Sequence, residues 1–588
     1  MYFAKDYFMS TAAKSTVDLN SIGLQNFQTI RSYQEIPLGK LTFIYGPNSA
    51  GKSALIDAIE ILRGIWGGND KQPDAKNPFS HVDGVSEKFR RSIRRESNDR
   101  FSKDEVRISC EVSTSGGAIL KREDFEDEKP LNRMGLNKYF SGKDLVRIRG
   151  EIRTGRYKGG YIDNLIISLD QMPLLQLVDS GFSINLQHPF LSESKLFQRD
   201  SRFGVRKALD QVGKSGDFIR MNDGWLGYHL SAHCETTRTI SLDDNYLFYI
   251  EDYIEYLEDP TDIAFDDVYE GFISLGNAYN TLINFLSKII FEGLNIERIY
   301  GSRKTPTRND LTYLVRLGTK DLHYETELRE TSLRLGLQMN GDPRYEDLAR
   351  EAAFRSVQNI AKNRISEDAI QDNLRYLERF TKTSVLDQVN EALRDHLLLD
   401  RSYQLIGTTH FLVLPNDALN EKGLASASEF SIYNPVLVQL ELIDPAGNRF
   451  SFEEVGSGVG YMLPVLIGIY SSNLSVVEQP ELHLHPALQG ALGDVFIEAC
   501  NMGHRILVES HSENTMLRAL RRIRDTTADR LKTPSLALNP SEICILYFEP
   551  LVTGETKVKK IRVDRHGELL DQWPGGFFSE RDKDLFNE

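Results

Sequence analysis

Cysteine is scarce in this chain: four residues among 588, at Cys110, Cys234, Cys500 and Cys544. None falls in a C-x-x-C pair. That spacing argues against a cysteine-based metal site and a disulfide framework, and it points to a reducing, cytoplasmic setting. Long hydrophobic runs are missing too. A membrane helix needs ~20 apolar residues, and the longest apolar stretch, Tyr461 to Tyr470, reads as a core segment. Met1 to Met9 lacks a basic region followed by an apolar core, so neither a secretory signal nor a membrane partner is expected. Positive charge is in deficit. A formal net charge of −15 argues against nucleic-acid binding over the whole surface, while leaving room for a local basic groove. No internal repeat and no sustained heptad is visible. What remains is an ordinary globular composition, 40% hydrophobic and 26% charged. At ~150 residues per domain, the length accommodates several domains.

The most informative stretch runs Leu41-Thr-Phe-Ile-Tyr-Gly46-Pro47-Asn48-Ser49-Ala50-Gly51-Lys52-Ser53. Gly46 to Ser53 fits G-x-x-x-x-G-K-[ST], the phosphate-binding loop. Leu41 to Tyr45 reads as a buried strand, and Ala54, Leu55, Ile56, Ala58, Ile59, Ile61 and Leu62 give a helix with a broad apolar face, ending near Gly64. Strand, loop and helix N-terminus surround one anion with main-chain N–H groups. Lys52 is expected to reach the β- and γ-phosphates of ATP and the Ser53 hydroxyl to ligate Mg²⁺.

A second cluster follows residue 450. Val455-Gly456-Ser457-Gly458 is a Gly/Ser turn opening an apolar helix, a second candidate anion site. Leu474-Ser-Val-Val-Glu478-Gln479-Pro480-Glu481-Leu-His483-Leu-His485-Pro486 is an apolar strand delivering a carboxylate, the pattern of a Walker B acid that holds Mg²⁺ directly or through water. Arg505-Ile-Leu-Val-Glu509-Ser-His511-Ser-Glu513 is another strand that carries a histidine at its C-terminal end. His483 and His485 have no third ligand at a convincing spacing, so a metal site there is not favoured.

Between the clusters, a basic run (Lys88, Arg90, Arg91, Arg94, Arg95, Arg100, Lys103) reads as a solvated helix face, with a phosphate-backbone contact as the alternative. Residues 104–250 alternate short β-rich runs with Gly turns, the pattern of an antiparallel sheet; Arg147, Arg149 and Arg153 share one strand face there. The helical pattern covers Tyr253 to Phe291 and Tyr345 to Leu399, with a polar loop from Ile299 to Arg308 between them. The expected organisation is an N-terminal lobe over 19–103, a β-rich insertion over 104–250, a helical arm over 251–429, a C-terminal lobe over 430–548 and a tail over 549–588. Residues 1–18 read as a loosely held leader.

Gly46-Pro-Asn-Ser-Ala-Gly-Lys-Ser, Val455-Gly-Ser-Gly, Glu478-Gln-Pro-Glu-Leu-His-Leu-His-Pro and Glu509-Ser-His-Ser-Glu together resemble the ABC-type AAA ATPases. The branch is that of the overcoming-lysogenization-defect proteins and the SMC and recombination-repair heads; Septu-type anti-phage ATPase subunits, which work with an HNH nuclease, are the nearest architecture. The resemblance covers roughly 19–66 and 430–548. The tail Leu569-Leu-Asp-Gln-Trp573-Pro-Gly-Gly-Phe577 is similar to the C-terminal end of a subgroup of uncharacterised ATPases in the same clan.

The resemblance implies an α/β fold: a two-lobed P-loop head with a β-rich insertion and a helical arm. It also implies a head-to-head homodimer or higher oligomer in which Gly456, Ser457 and Gly458 of one copy cap the γ-phosphate held by the other, and in which His511 senses that phosphate. Two departures matter. The position of the catalytic glutamate is Gln479, which cannot accept a proton from water. Either Glu481 takes the role or hydrolysis is slow and the ATP dimer long-lived. The signature serine also falls at Gly456, with Ser457 one place on. The short tail around Asp564, Glu568 and Asp571 leaves no room for the metal-carboxylate nuclease domain of the overcoming-lysogenization-defect proteins. The expected role is an ATPase that regulates a separate effector, such as an HNH nuclease or toxin, in bacterial anti-phage defence. A DNA-repair head that tracks DNA ends is the alternative, with DNA or RNA as the candidate ligand.

Overall fold

The computed structural model describes residues 17–66, 106–117, 119, 137–154, 164–178, 181–185, 188–192, 218–220, 296–315, 348–353, 355, 385–397, 403–411 and 436–573. The basic run at 88–103 and the leader up to residue 16 lie outside them, as does the helical pattern over 253–291. The chain divides into two compact units. The first holds Met1–Ile296, Cys544–Arg562 and Asp571–Glu588, and the second holds Glu297–Ile543 and Val563–Leu570.

In the first unit, strands β1 (Asp18–Gln25) and β2 (Gln34–Pro37) form the edge of an eight-stranded antiparallel sheet. It continues through β4 (Val106–Thr114), β5 (Val146–Thr154), β6 (Asn164–Leu169), β7 (Met172–Val178), β8 (Gly181–Asn185) and β9 (Phe218–Arg220). The β-rich stretch after residue 104 is therefore continuous with the N-terminal strands, because β1 pairs with β4 from Asp18↔Ser113 to Gln25↔Arg107. Side chains alternate in and out along β4 and β5, so Ile108, Cys110, Val112, Ile148 and Ile152 enter the core. Arg149 lies on the other face, where it donates to Glu35, Ser109 and the Tyr33 hydroxyl. Arg153 and Arg107 share Glu151. This basic strand face is largely neutralised by its neighbours.

The loop strand β3 (Leu41–Tyr45), wholly buried, lies beside β17 (Ile543–Pro550), which pairs antiparallel with β18 (Thr556–Ile561). Helix α1 runs Lys52–Trp66 and buries Ala54, Leu55, Ile56, Ala58, Ile59, Ile61 and Leu62. It passes through Gly64 rather than stopping there; a single glycine costs a helix about 1 kcal/mol relative to alanine, less than this apolar face returns on burial. Burial pushes the Cys110 and Cys544 thiols up to about 11, so neither is a thiolate near neutral pH.

In the second unit, β10 (Ile296–Ile299), β15 (Leu474–Glu478) and β16 (Arg505–Glu509) lie side by side, with β15 and β16 parallel. Parallel strands buried on both faces read as unbroken apolar runs, as Val476-Val477 and Ile506-Leu507-Val508 do. Helices α5 (Ser457–Ser471), α6 (Pro486–Asn501) and α7 (Asn514–Thr527) accompany them, numbered after the short helices α2 (Asn137–Phe140) and α3 (Pro189–Ser192) of the first unit and α4 (Val385–Ala392) of the second. Strands β11 (Thr312–Val315), β12 (Gln404–Phe411), β13 (Val436–Ile443) and β14 (Arg449–Phe450) make a smaller antiparallel sheet. The stretch 251–429 is thus not helical throughout: β10, β11 and β12 are strands, while Val385–Leu397 is helical. Alternating Leu405, Val438, Leu440 and Leu442 explain the smaller sheet, since their period of two suits a face buried on one side.

One buried acid ties α6 to α7. Asp494, 4% exposed, accepts from Arg518 at 2.7 Å and from Arg522 at 2.7 and 2.8 Å. Removing one side of a buried ion pair costs about 3–5 kcal/mol, and both arginines keep some solvent access, so Asp494→Ala falls at the lower end. Amide exchange on α6 and α7 is expected to speed up about a hundred-fold; a change under about threefold would show that the pair contributes little.

Candidate functional site

The phosphate loop belongs to the first unit. Gly46 has φ +150° and Gly51 φ +82°, backbone that L side chains rarely adopt. A Cβ at Gly46 would lie 2.6 Å from the Phe548 carbonyl oxygen, and one at Gly51 would lie 2.0 Å from Thr29 Oγ1. Ser49 is also left-handed, at φ +65°. This alternation of backbone handedness turns successive N–H groups toward one side and forms an anion nest. Pro47 accepts from the Ala50 N–H at 3.2 Å, and Gly51 from the Ala54 N–H at 3.0 Å. Asn48, Ser49 and Ser53 are exposed. Lys52 is 6% exposed, and its Nζ donates to the Gly46 and Pro47 carbonyls at 3.0 Å each. The ammonium is thereby folded across the loop.

A second layer braces this loop from the far end of the sequence. The Thr556 hydroxyl on β18 contacts the Ala50 carbonyl at 2.8 Å and Thr29 Oγ1 at 2.7 Å, and the Thr556 N–H donates to the Thr29 carbonyl. Gln34 bridges to the Thr556 carbonyl and the Val558 N–H, both at 2.8 Å. Gln28 holds Asp57 of α1 at 2.7 Å. Trp573 lies edge-on to Tyr45 at 5.6 Å and to Tyr547 at 6.0 Å, which anchors the tail against the loop strand. A loop shaped by two positive-φ glycines, with a buried lysine folded over it, fits a polyphosphate.

The acid-bearing strand ends belong to the second unit. Glu478 closes β15, and its Oε1 takes Arg298 Nε at 2.6 Å while Oε2 lies 3.3 Å from the Gly301 N–H. Gln479 is left-handed at φ +46°, a conformation that costs a non-glycine residue roughly 1–2 kcal/mol. Its N–H donates to the Glu509 carbonyl at 2.7 Å. Its side-chain oxygen lies beside Gly301, 3.1 Å from where a Cβ there would be. Glu481 accepts the His511 N–H on Oε1 at 2.8 Å, while its Oε2 is buried and has no partner among the described residues. The fold places the Glu481 carboxylate against the His511 backbone, a contact the sequence did not indicate, and turns the Gln479 amide toward Gly301.

The remaining motif residues take structural or exposed positions. His483, left-handed at φ +63°, stacks on Tyr461 at 4.3 Å. His485 caps α6 by accepting the Ala487 N–H on Nδ1. Neither belongs to a cluster of three potential metal ligands, of which the described residues contain none. Gly456 precedes the first turn of α5 and Gly458 sits 3.2 Å, by its would-be Cβ, from the His483 carbonyl. Arg298 and Arg303 lie against the acid-bearing turn, on the Glu478 carboxylate and the Glu478 carbonyl, and the motifs do not mark them. The signal that could have found them is the short apolar pair Ile296 and Ile299 ahead of a Tyr-Gly turn.

Three family models match. A model described as AAA domain matches residues 21–258, a model described as AAA domain, putative AbiEii toxin, Type IV TA system matches residues 296–517, and a model described as Protein of unknown function (DUF3696) matches residues 538–587. No curated protein matches the chain. Among solved structures, the Smc head domain with an extended coiled coil bound to the C-terminal domain of ScpA, from Pyrococcus furiosus, is 13% identical at a TM-score of 0.35, covering 93% of this chain and 96% of its own. The SMC head domain from Thermotoga maritima is 8% identical at a TM-score of 0.32, with 93% and 99% covered. At scores of this size the fold rests instead on the strand–loop–helix unit and the AAA-domain matches. Fold and loop define the class: an AAA-type P-loop ATPase of α/β architecture. Among the described residues no helix is long and apolar enough to cross a membrane.

Proposed function

We propose that the protein binds Mg-ATP, hydrolyses it with Glu481 as the base, assembles head to head with a second copy, and through that cycle regulates a separate effector in bacterial anti-phage defence. The observation that carries the nucleotide reading is the loop from Gly46 to Lys52, whose two positive-φ glycines and buried lysine suit a polyphosphate. In this reading the N–H groups from Gly46 to Gly51 and the Lys52 ammonium hold the phosphates. By the resemblance Ser53 and Glu478 would be the ligands of a magnesium ion, which would neutralise charge on the phosphates. Glu481 positions and deprotonates the attacking water. Its anchored Oε1 fixes the carboxylate, and its buried Oε2, without a partner among the described residues, is the oxygen left to accept from a water ordered beside it. His511 contacts the γ-phosphate, and Gly456, Ser457 and Gly458 reach the nucleotide of the second copy.

The effector reading draws support from the model matched over 296–517, whose description names a toxin of a type IV toxin–antitoxin system. The branch of overcoming-lysogenization-defect and Septu-type subunits belongs to the same proposal, with a nuclease or toxin as the regulated partner and the reducing cytoplasm as its place.

The test is size analysis of the purified protein with and without ATP and magnesium, followed by co-purification from its native host. The expected result is a shift to twice the mass with nucleotide, weak DNA binding, and a stably associated effector. DNA binding whose logarithm falls steeply with the logarithm of salt concentration, without any effector, would replace the regulatory reading with a DNA-tracking one.

A further inference from the structure

Arg303 stands out among the buried charges of the second unit. It is 7% exposed, and six of its hydrogen bonds go to main-chain carbonyls. Nε donates to the Tyr461 carbonyl of α5 at 2.9 Å. Nη1 donates to the Glu478 carbonyl at 3.0 Å and to those of Gln479 and Tyr300 at 3.3 and 3.4 Å. Nη2 reaches the Gln479 and Pro480 carbonyls, both at 3.3 Å. Only a guanidinium presents enough donors in one plane to serve so many acceptors at once.

Those acceptors are not arbitrary. Glu478, Gln479 and Pro480 form the turn that leaves β15, and Gln479 is its left-handed residue. A left-handed residue outside glycine persists only where its surroundings impose it. Two contacts do so here. The Glu509 carbonyl takes the Gln479 N–H, and Arg303 takes the Gln479 carbonyl. The turn decides where the Glu478 carboxyl and the Glu481 carboxyl point.

The approach of Arg303 is itself built into the packing. Helix α5 has glycines at 460 and 468; a Cβ at Gly460 would lie 2.6 Å from Thr305 Cγ2, and one at Gly468 would lie 2.6 Å from Ile299 Cδ1. These gaps let the Ile299–Thr305 segment lie close along α5, which brings Arg303 within reach of the Tyr461 carbonyl. Next to it, Arg298 takes the Glu478 carboxylate and stacks over the Tyr300 ring at 4.6 Å. One arginine addresses the side chain of the acid and the other its backbone.

We propose that Arg303 is a positioning residue for the ATPase reaction. It holds the Glu478–Gln479–Pro480 turn in the one conformation that aims Glu478 at the metal and Glu481 at the water. The proposal rests on the Mg-ATP reading above. It predicts that losing Arg303 spares the magnesium-free affinity for ATP, which belongs to the phosphate loop. What is lost is the gain in affinity that magnesium brings, and the rate of the chemical step.

The experiment uses full-length protein and its Arg303→Ala, Arg303→Lys and Gly301→Ala variants. Fluorescent-ATP affinity is measured in EDTA and in magnesium, and single-turnover hydrolysis alongside it. For Arg303→Ala we expect ATP affinity in EDTA within about threefold of wild type, a magnesium gain reduced about tenfold, and a hydrolysis rate reduced about a hundred-fold, the size of losing one preorganised donor set. Arg303→Lys restores part of both, because an ammonium supplies donors without the planar fork. Gly301→Ala presses on the Gln479 side chain from the other side, keeps every charge, and gives a smaller loss of the same kind. Variants equal to wild type in magnesium gain and rate overturn the proposal. So does loss of EDTA affinity in step with the rate and with thermal stability, which marks a purely structural arginine. Wild type that binds no ATP in either condition fails the underlying nucleotide reading instead.

Discussion

Lys52→Ala abolishes nucleotide binding while leaving the fold intact. The expected loss of ATP affinity is at least about a hundred-fold, the scale of removing one charged donor from a preorganised anion site. The fold is expected to survive because Nζ donates to the carbonyls of its own loop, Gly46 and Pro47, whose shape is also set by the positive-φ glycines and by Thr556. Lys52 also begins a helix whose core contacts lie further along, at Leu55, Ile56, Ile59 and Ile61. Isothermal calorimetry with ATP and a thermal melt are the two measurements. Retained affinity in the alanine variant would remove the phosphate role of the loop; a collapsed melt would show that the lysine is structural.

Glu481→Gln stops hydrolysis and spares binding. A general base contributes about 10²- to 10⁴-fold, so single-turnover hydrolysis is expected to fall by that range while ATP affinity stays near wild type. The amide keeps an oxygen to accept the His511 N–H and so preserves the local geometry. Gln479→Ala, by contrast, is expected to change the rate by less than about tenfold, because the Gln479 amide is turned toward Gly301. Full turnover in Glu481→Gln would leave the protein without the base proposed here. Near-zero turnover in wild type, with an ATP-driven assembly still forming, would make Gln479 the reason and the protein an ATP-held switch.

Much of the phosphate loop's structure was legible in the sequence because it is local. Gly46 to Ser53 spans eight residues, and an apolar strand, a glycine turn and an apolar helix write their own geometry into that span. The same holds for β15, β16 and the start of α5. The β pattern after residue 104 was legible as antiparallel from its period of two. Its continuity with β1 was not, because the partners Ile22 and Cys110 are far apart in the chain and pairing over such a distance leaves no local signal. The loop from Ile299 to Arg308 read as a polar connector for the same reason. Arg303 finds its acceptors at residues 461 and 478 to 480, far along the chain, and main-chain carbonyls have no sequence signature. Thr556 was invisible on both counts: a lone threonine in a C-terminal hairpin whose partners are Thr29 and Ala50.

That last contact gives the protein a timetable. Ala50 and Thr556 lie 506 residues apart. At ~5–20 residues per second of synthesis, the phosphate loop emerges on the order of half a minute or more before the hairpin that braces it. A nascent chain therefore carries the motif long before it carries the supported loop. The loop is therefore expected to hold nucleotide firmly only once the hairpin of β17 and β18 has been made and has folded back onto it.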